Sequence, residues 1–168
     1  RLESLCIVPM IATGNAMSTF TAQNLGARKT ERVREGYRAA GGIVMAFAVV
    51  IAVVAQLFYR PLVSLFVDVE SSQVAFATGS ACFRFEGCFF VLIGFKAITD
   101  GILRGAGDVT VYMIANLINL AIRVLVAQLA SPAFGIQVIW YAVPMGWAAN
   151  FLISYLRYRT GHWKQKKL

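Results

Sequence analysis

Charge is what this sequence has least of. Asp and Glu number eight against sixteen Lys and Arg, and charged residues of both signs make up 14% of the chain, well under the roughly 25% of soluble domains. Histidine occurs once, as His162. The three cysteines, Cys6, Cys82 and Cys88, lack metal-ligand spacing and have no histidine near them. Each lies in an apolar stretch and reads as a small packing residue. No P-loop, catalytic carboxylate pair or Ser/His/Asp set occurs, and there is no internal repeat, low-complexity tract or soluble domain. No catalytic residue, metal site or cofactor is therefore expected, and the chain does not read as an enzyme.

Long hydrophobic runs are present instead, and they fill the chain. Five charge-poor stretches cover Ser4–Leu25, Ala39–Tyr59, Val74–Phe95, Val109–Ala130 and Phe134–Leu156. A hydrocarbon core about 30 Å thick needs about 20 apolar residues of helix to cross it. Each stretch meets that length, and only Arg84, Glu86 and Arg123 are charged within them. The expected fold is all-α, a polytopic bundle of five transmembrane spans.

The net charge of +8 follows topology rather than nucleic-acid binding. Arg28, Lys29, Arg32, Arg34 and Arg38 follow the first span, Lys96 and Arg104 the third, and Arg157, Arg159, Lys164, Lys166 and Lys167 the fifth. Lys and Arg collect on the cytoplasmic side of a membrane protein. The 26–38 and 96–108 connections and the basic tail, 157–168, are thus expected in the cytoplasm. The N-terminus is then outside, and the lipid bilayer is the one large partner. The chain opens at Arg1-Leu2-Glu3 with no initiator Met, signal peptide or helix cap. It reads as an incomplete chain that starts partway along a helix.

The spans differ in character. The first holds Pro9, where a kink is expected, then Gly14, then a polar inner half. Asn15, Thr19 and Gln23 are spaced i, i+4, i+8 and share a face. Gly26 is expected at the C-cap, and Arg28–Arg38 as a helical interfacial connection. The second span has Gln56 as its one amide, with Gly41 and Gly42 placed for close helix approach. Pro61–Phe66 is expected to lie along the outer interface. Asp100 to Asp108 is read as a glycine-rich turn with Asp108 as N-cap. The fourth span is expected to end near Ser131-Pro132 and the fifth to kink at Pro144 and Gly146. Trp140, Tyr141, Tyr155, Tyr158 and Trp163 are aromatic-belt candidates.

Two segments carry a family pattern. Ser18-Thr19-Phe20-Thr21-Ala22-Gln23-Asn24-Leu25-Gly26-Ala27, followed by a basic run, resembles the "sTf-x-x-QN-x-GA" segment of multidrug and toxic compound extrusion (MATE) transporters. Gly101-Ile102-Leu103-Arg104-Gly105-Ala106-Gly107-Asp108 is similar to that family's "G-x-LRGaGd" loop. The sequence then passes Asn116, Asn119 and Arg123 to a final span and an aromatic-basic tail, in the family's order. The resemblance implies a parent of twelve helices in two six-helix lobes. This chain would be the C-terminal lobe without its first helix. It also implies a secondary antiporter exporting organic, often cationic compounds, with protons or sodium ions as coupling ions. Partners would be small organic substrates, the missing N-terminal lobe and the missing first helix. Counting back from the Gly-Ile-Leu-Arg-Gly loop, the family's cation-site acid on this helix would fall near Ile93.

Polar residues within the spans are the candidate substrate and cation pathway. Glu86 lies about 18 Å from the outer end of its span, at 1.5 Å per residue. A charge there costs about 2.5–3.5 kcal/mol on insertion scales. It reads either as a proton or cation site or as a carboxylate permanently paired between helices. Arg84 is about 200° away around the same helix and needs a different partner. Arg123 is the expected partner of Glu86, close enough for direct or water-bridged contact. Loss of that carboxylate would then leave a buried Arg uncompensated. Tyr112, Asn116, Asn119 and Arg123 form a stripe at i, i+4, i+7, i+11, suited to a cavity wall or to interhelical hydrogen bonding. Asn15, Ser18, Thr19 and Gln23 are the other candidate lining. Asp100, Arg104 and Asp108 read as a network that fixes the loop. Two further functions stay open, a lipid-linked oligosaccharide flippase of related architecture and a non-transporting membrane scaffold.

Overall fold

In the computed structural model the described residues are 1–66, 73–135 and 137–164, and none of them forms a strand. Seven helices account for nearly all of them: α1 Leu2–Gly26, α2 Thr30–Leu57, α3 Tyr59–Ser64, α4 Gln73–Gly87, α5 Phe90–Gly105, α6 Val109–Phe134 and α7 Val138–Thr160, then a 3-10 turn, His162–Lys164. α1, α2 and α6 up to Ala133 are long and apolar enough to cross a membrane by length and composition. The exposed faces of α2 and α6 are apolar, with Phe47, Val50 and Val53 on α2 and Leu117, Leu120 and Leu125 on α6 open. Contiguous apolar surface of this extent suits lipid rather than water.

Several expected boundaries move. The third span is two helices, since Cys88 and Phe89 interrupt it, with the Phe89 amide donating to the Glu86 carbonyl at 2.8 Å. Arg84, Glu86 and Gly87 stand just before that break, so the apolar run weakens there, although its length reads as one span. The basic run 30–38 is not a separate connection but the first turns of α2, whose buried residues Val33, Ala40, Val44, Ala48 and Ala55 continue one helical face. Most of the expected 100–108 turn is helix, because α5 runs to Gly105. α6 passes Pro132 and ends at Phe134, and α1 and α7 run unbroken through Pro9 and Pro144.

Two helix ends share one closing geometry. At the end of α5 the Asp108 amide reaches the Leu103 carbonyl at 2.8 Å and the Gly107 amide the Arg104 carbonyl at 3.0 Å. Gly107 supplies the positive φ of 73° this motif needs. At the end of α1 the same pattern joins Lys29 to Asn24 and Arg28 to Leu25. There the left-handed residue is Arg28, at φ 58°, and not the expected Gly26, which stays inside the helix. Asp108 starts α6 but makes no side-chain cap, because its carboxylate accepts from Arg157 Nε at 2.6 Å.

α5 is the centre of the packing: α1, α2 and α7 lie against it, and α6 pairs mainly with α7. Lipid is as apolar as a helix surface, so membrane helices associate through close backbone approach and polar contacts. Both are found here. A Cβ on Gly101 would strike the Gly14 carbonyl, one on Gly105 the Ser18 carbonyl, and one on Gly14 the Ala97 carbonyl. α1 and α5 therefore meet backbone to backbone over two turns. Gly42, expected at a close contact, has nothing near it, and Gly41 meets only the Phe95 ring. Gly146, expected at a kink, instead lets α6 approach α7 at Asn119. Trp163 does not belong to an exposed belt. It is 1% exposed, stacks on Tyr158 and donates Nε1–H to the Tyr158 carbonyl at 2.9 Å.

Candidate transport site

The polar residues gather in two places at opposite ends of α4 and α5. Toward the basic end of the bundle, Asp100 on α5 is 3% exposed and fully bonded. Its Oδ2 accepts from Lys96 Nζ at 2.9 Å and its Oδ1 from Ser154 Oγ, on α7, at 2.6 Å. Lys96 precedes Asp100 by one helical turn, the spacing at which two side chains on a helix meet. Lys96 also donates to Asn116 Oδ1 on α6 at 3.1 Å. One buried ion pair thus ties α5, α6 and α7 together. Asp108 and Arg157 form a second pair one turn further toward the basic end, with the Asp108 side chain 2% exposed.

Beside Asp100 a cavity of about 210 Å³ opens between α1, α5 and α6, lined by Ile11, Asn15, Lys96, Asp100, Arg104 and Tyr112 among others. Arg104 donates Nη2–H to Asn15 Oδ1 at 2.9 Å, and its guanidinium lies 5.5 Å from the centre of the Tyr112 ring. Among the described residues no carboxylate is within 4.0 Å of Arg104.

Toward the other end, Glu86 on α4 is 7% exposed and lines a cavity of about 530 Å³ with Arg1, Glu3, Val63, Cys82 and Phe83. Arg123 is close enough for its charge to act on Glu86. Of the direct or water-bridged contact expected between them, the direct form is not made, since no ion pair within 4.0 Å joins Glu86 and Arg123 among the described residues. Arg123 lines a separate cavity of about 460 Å³ with Gln128, Ile139 and Val143. Arg84 faces elsewhere, as its spacing from Glu86 requires. It donates Nε–H to Gln56 Oε1 at 3.0 Å and covers the Tyr59 ring at 4.9 Å, while Gln56 Nε2 donates to the Arg84 carbonyl at 2.9 Å. The single amide of the second span is thus spent on Arg84.

The α6 stripe divides because the helix changes neighbour along its length. Tyr112 and Asn116 meet α5, Asn119 packs on Gly146 of α7, and Arg123 is exposed. On α1, Asn15, Thr19 and Gln23 are all exposed on one face, and of the three only Asn15 reaches another helix. Ile93, where the family acid was expected, packs among apolar core residues. Sequence reasoning missed the Lys96–Asp100 pair, because a charge just past an apolar run reads as a membrane edge. The signal was present: Ala97, Ile98, Ile102 and Leu103 continue the apolar face around it, and Asn150 and Ser154 stand one turn apart on the facing span.

Comparison with known proteins agrees with this architecture. The MatE family model matches residues 1–129. The chain is also 31% identical, over 169 residues, to the Bacillus subtilis (strain 168) protein named "Probable multidrug resistance protein YpnP". That alignment covers 100% of this chain and 37% of the relative's length. No solved structure matches the chain. A helical, multi-pass membrane chain that matches the family model over most of its length, it belongs to the MatE family, whose members are transporters and not enzymes.

Proposed function

We propose that this chain is part of a secondary antiporter of the cell membrane, with its basic end in the cytoplasm. It exports organic, often cationic compounds against inward flow of protons or sodium ions. Alternating access by rocking of two lobes about a site near the midplane is the mechanism. The observation that carries the coupling reading is Glu86, a carboxylate withdrawn from water with no cationic nitrogen at bonding distance among the described residues. An ionised carboxylate so placed is costly. A transport cycle meets that cost by delivering a proton or a sodium ion to it. Glu3 and Cys82 on the same cavity wall supply further oxygen and sulfur atoms. Arg84, held by Gln56 and Tyr59, is spent on structure and takes no part.

The test is transport by the full-length protein in proteoliposomes, with ethidium as substrate and an imposed pH or sodium gradient. Export should follow one of the two gradients, and Glu86→Gln should lose the gradient dependence while the protein still melts as the parent does. Gradient-driven export by Glu86→Gln at the parental rate would remove Glu86 from coupling. No gradient-driven export by the parent would remove the antiporter reading.

A further inference from the structure

The cavity between α1, α5 and α6 has a chemistry that the coupling site does not share. Its charged residues are Lys96, Asp100 and Arg104. Asp100 turns both oxygens to protein donors: Oδ2 accepts from Lys96 and Asn116, and Oδ1 from Ser154. Lys96 has three N–H donors, and Asp100 and Asn116 take two of them. Arg104 has no acid partner among the described residues, and its Nε–H is buried with no acceptor. Asn15 gives its carbonyl oxygen to Arg104, so its amide hydrogens are what it has left to offer. Tyr112 adds a hydroxyl and a ring face. The walls thus carry two cations against one anion, and that anion is already held by three protein donors. A buried donor left without an acceptor costs free energy, and an incoming anion supplies the acceptor that Arg104 Nε–H lacks.

From this geometry we propose that the cavity binds the oxyanion group of an organic ligand, a carboxylate or a phosphonate-type head, held by Arg104, Lys96 and Asn15. A volume of about 210 Å³ equals several water molecules at about 30 Å³ each, enough for such a group and the first atoms behind it. The planar fork of Arg104 suits two-oxygen recognition, and Tyr112 holds it in place from the ring face. An organic cation is repelled here by the excess positive charge. Anionic or zwitterionic amphiphiles are thereby the class this lobe accepts at its basic end. That assignment rests on the transport reading only for its place in a transport cycle, and the binding itself does not depend on it.

Ligand-observed saturation-transfer NMR on the full-length protein in detergent tests the site, with benzoate, phenylphosphonate and benzyltrimethylammonium as probes. At least one of the two anions should bind, and the tighter of them identifies the head group. The ammonium probe should neither bind at this site nor compete. Arg104→Gln should weaken anion binding at least about tenfold, as expected for a lost hydrogen bond to a charged group. Asn15→Asp keeps a partner for Arg104, and so keeps the fold, but brings a carboxylate into the cavity. It should weaken the anions by at least as much. Absence of anion binding, equal binding of benzyltrimethylammonium in competition with benzoate, or anion binding unchanged in Asn15→Asp would each overturn the proposal. Anion binding by a protein that moves no ethidium would sustain this site and remove the export of organic cations from the proposed function instead.

Discussion

Asp100 carries more of the bundle's organisation than any other single side chain, since its two oxygens hold residues from two helices and Lys96 extends the link to a third. Breaking a buried pair by removing one partner costs about 3–5 kcal/mol, while replacing both with apolar groups is often neutral. Asp100→Asn should therefore lower the melting temperature of the detergent-solubilised protein sharply, and Lys96→Met with Asp100→Leu should restore most of it. A single variant that melts like the parent would show the pair to be unimportant. Glu86 predicts the contrary pattern. With no Arg nitrogen within 4.0 Å, Glu86→Gln strands no cation, and thermal stability should change by less than about 1 kcal/mol, as for positions with no broken network. A large destabilisation would restore the Glu86–Arg123 pair that sequence spacing suggested. Spacing placed those two at comparable depth but could not say which way Arg123 faces, because that depends on how α6 turns from α5 to α7. It placed Arg84 away from Glu86 correctly, because that angle belongs to one helix alone.

Among the elements, the contact between α1 and α5 is the one built with least tolerance. Adding a methyl group at Gly101 drives it into the Gly14 carbonyl, which has nowhere to go inside a helix. Overpacking of this kind costs typically 1–3 kcal/mol, so Gly101→Ala should destabilise by about that much. Gly26 is the control. It is helical, a Cβ there meets nothing within 4 Å, and alanine in a helix is favoured over glycine by about 0.5–1 kcal/mol. Gly26→Ala should therefore melt at or above the parent in the same detergent. Equal melting of the two variants would mean that α1 and α5 do not touch as described. Neither role was visible beforehand. Glycines 101 and 105 sit in a motif that looks like a loop, and only the path of α5 shows them inside a helix. Three of the five apolar runs, those of α1, α2 and α6, were legible as helices long enough to cross a bilayer, because hydrocarbon thickness sets that length. The break at Cys88 and Phe89 was not: Arg84, Glu86 and Gly87 stand just before it, but two charges inside an otherwise apolar run read equally as polar sites within one span.

At the scale of the whole molecule, the exposed surface is of two kinds. α2 and much of α6 present apolar side chains, while the basic half of α1 presents Asn15, Thr19 and Gln23. Polar amides facing lipid are costly, so this face of α1 should be covered by protein or water in the working transporter. The relative it matches is longer, this chain corresponding to 37% of it, which leaves ample sequence for a covering lobe. The cavities of Glu86 and Arg104 are separate and share no lining residue, and a pathway across the membrane needs more than these. The 168-residue chain reconstituted in liposomes should therefore show no gradient-dependent movement of ethidium, whereas the full-length protein should. Orientation is checked on the full-length protein in cells. Thr30→Cys, beside the basic run of α2, should resist an impermeant maleimide applied to intact cells and react after permeabilisation, because basic connections are retained in the cytoplasm. Labelling of intact cells would turn the bundle over and place the Arg104 cavity at the outer face. Gradient-coupled dye export by the 168-residue chain, lost when the gradient is collapsed, would mean that copies of this one bundle assemble a complete pathway, with the polar face of α1 as the seam between them.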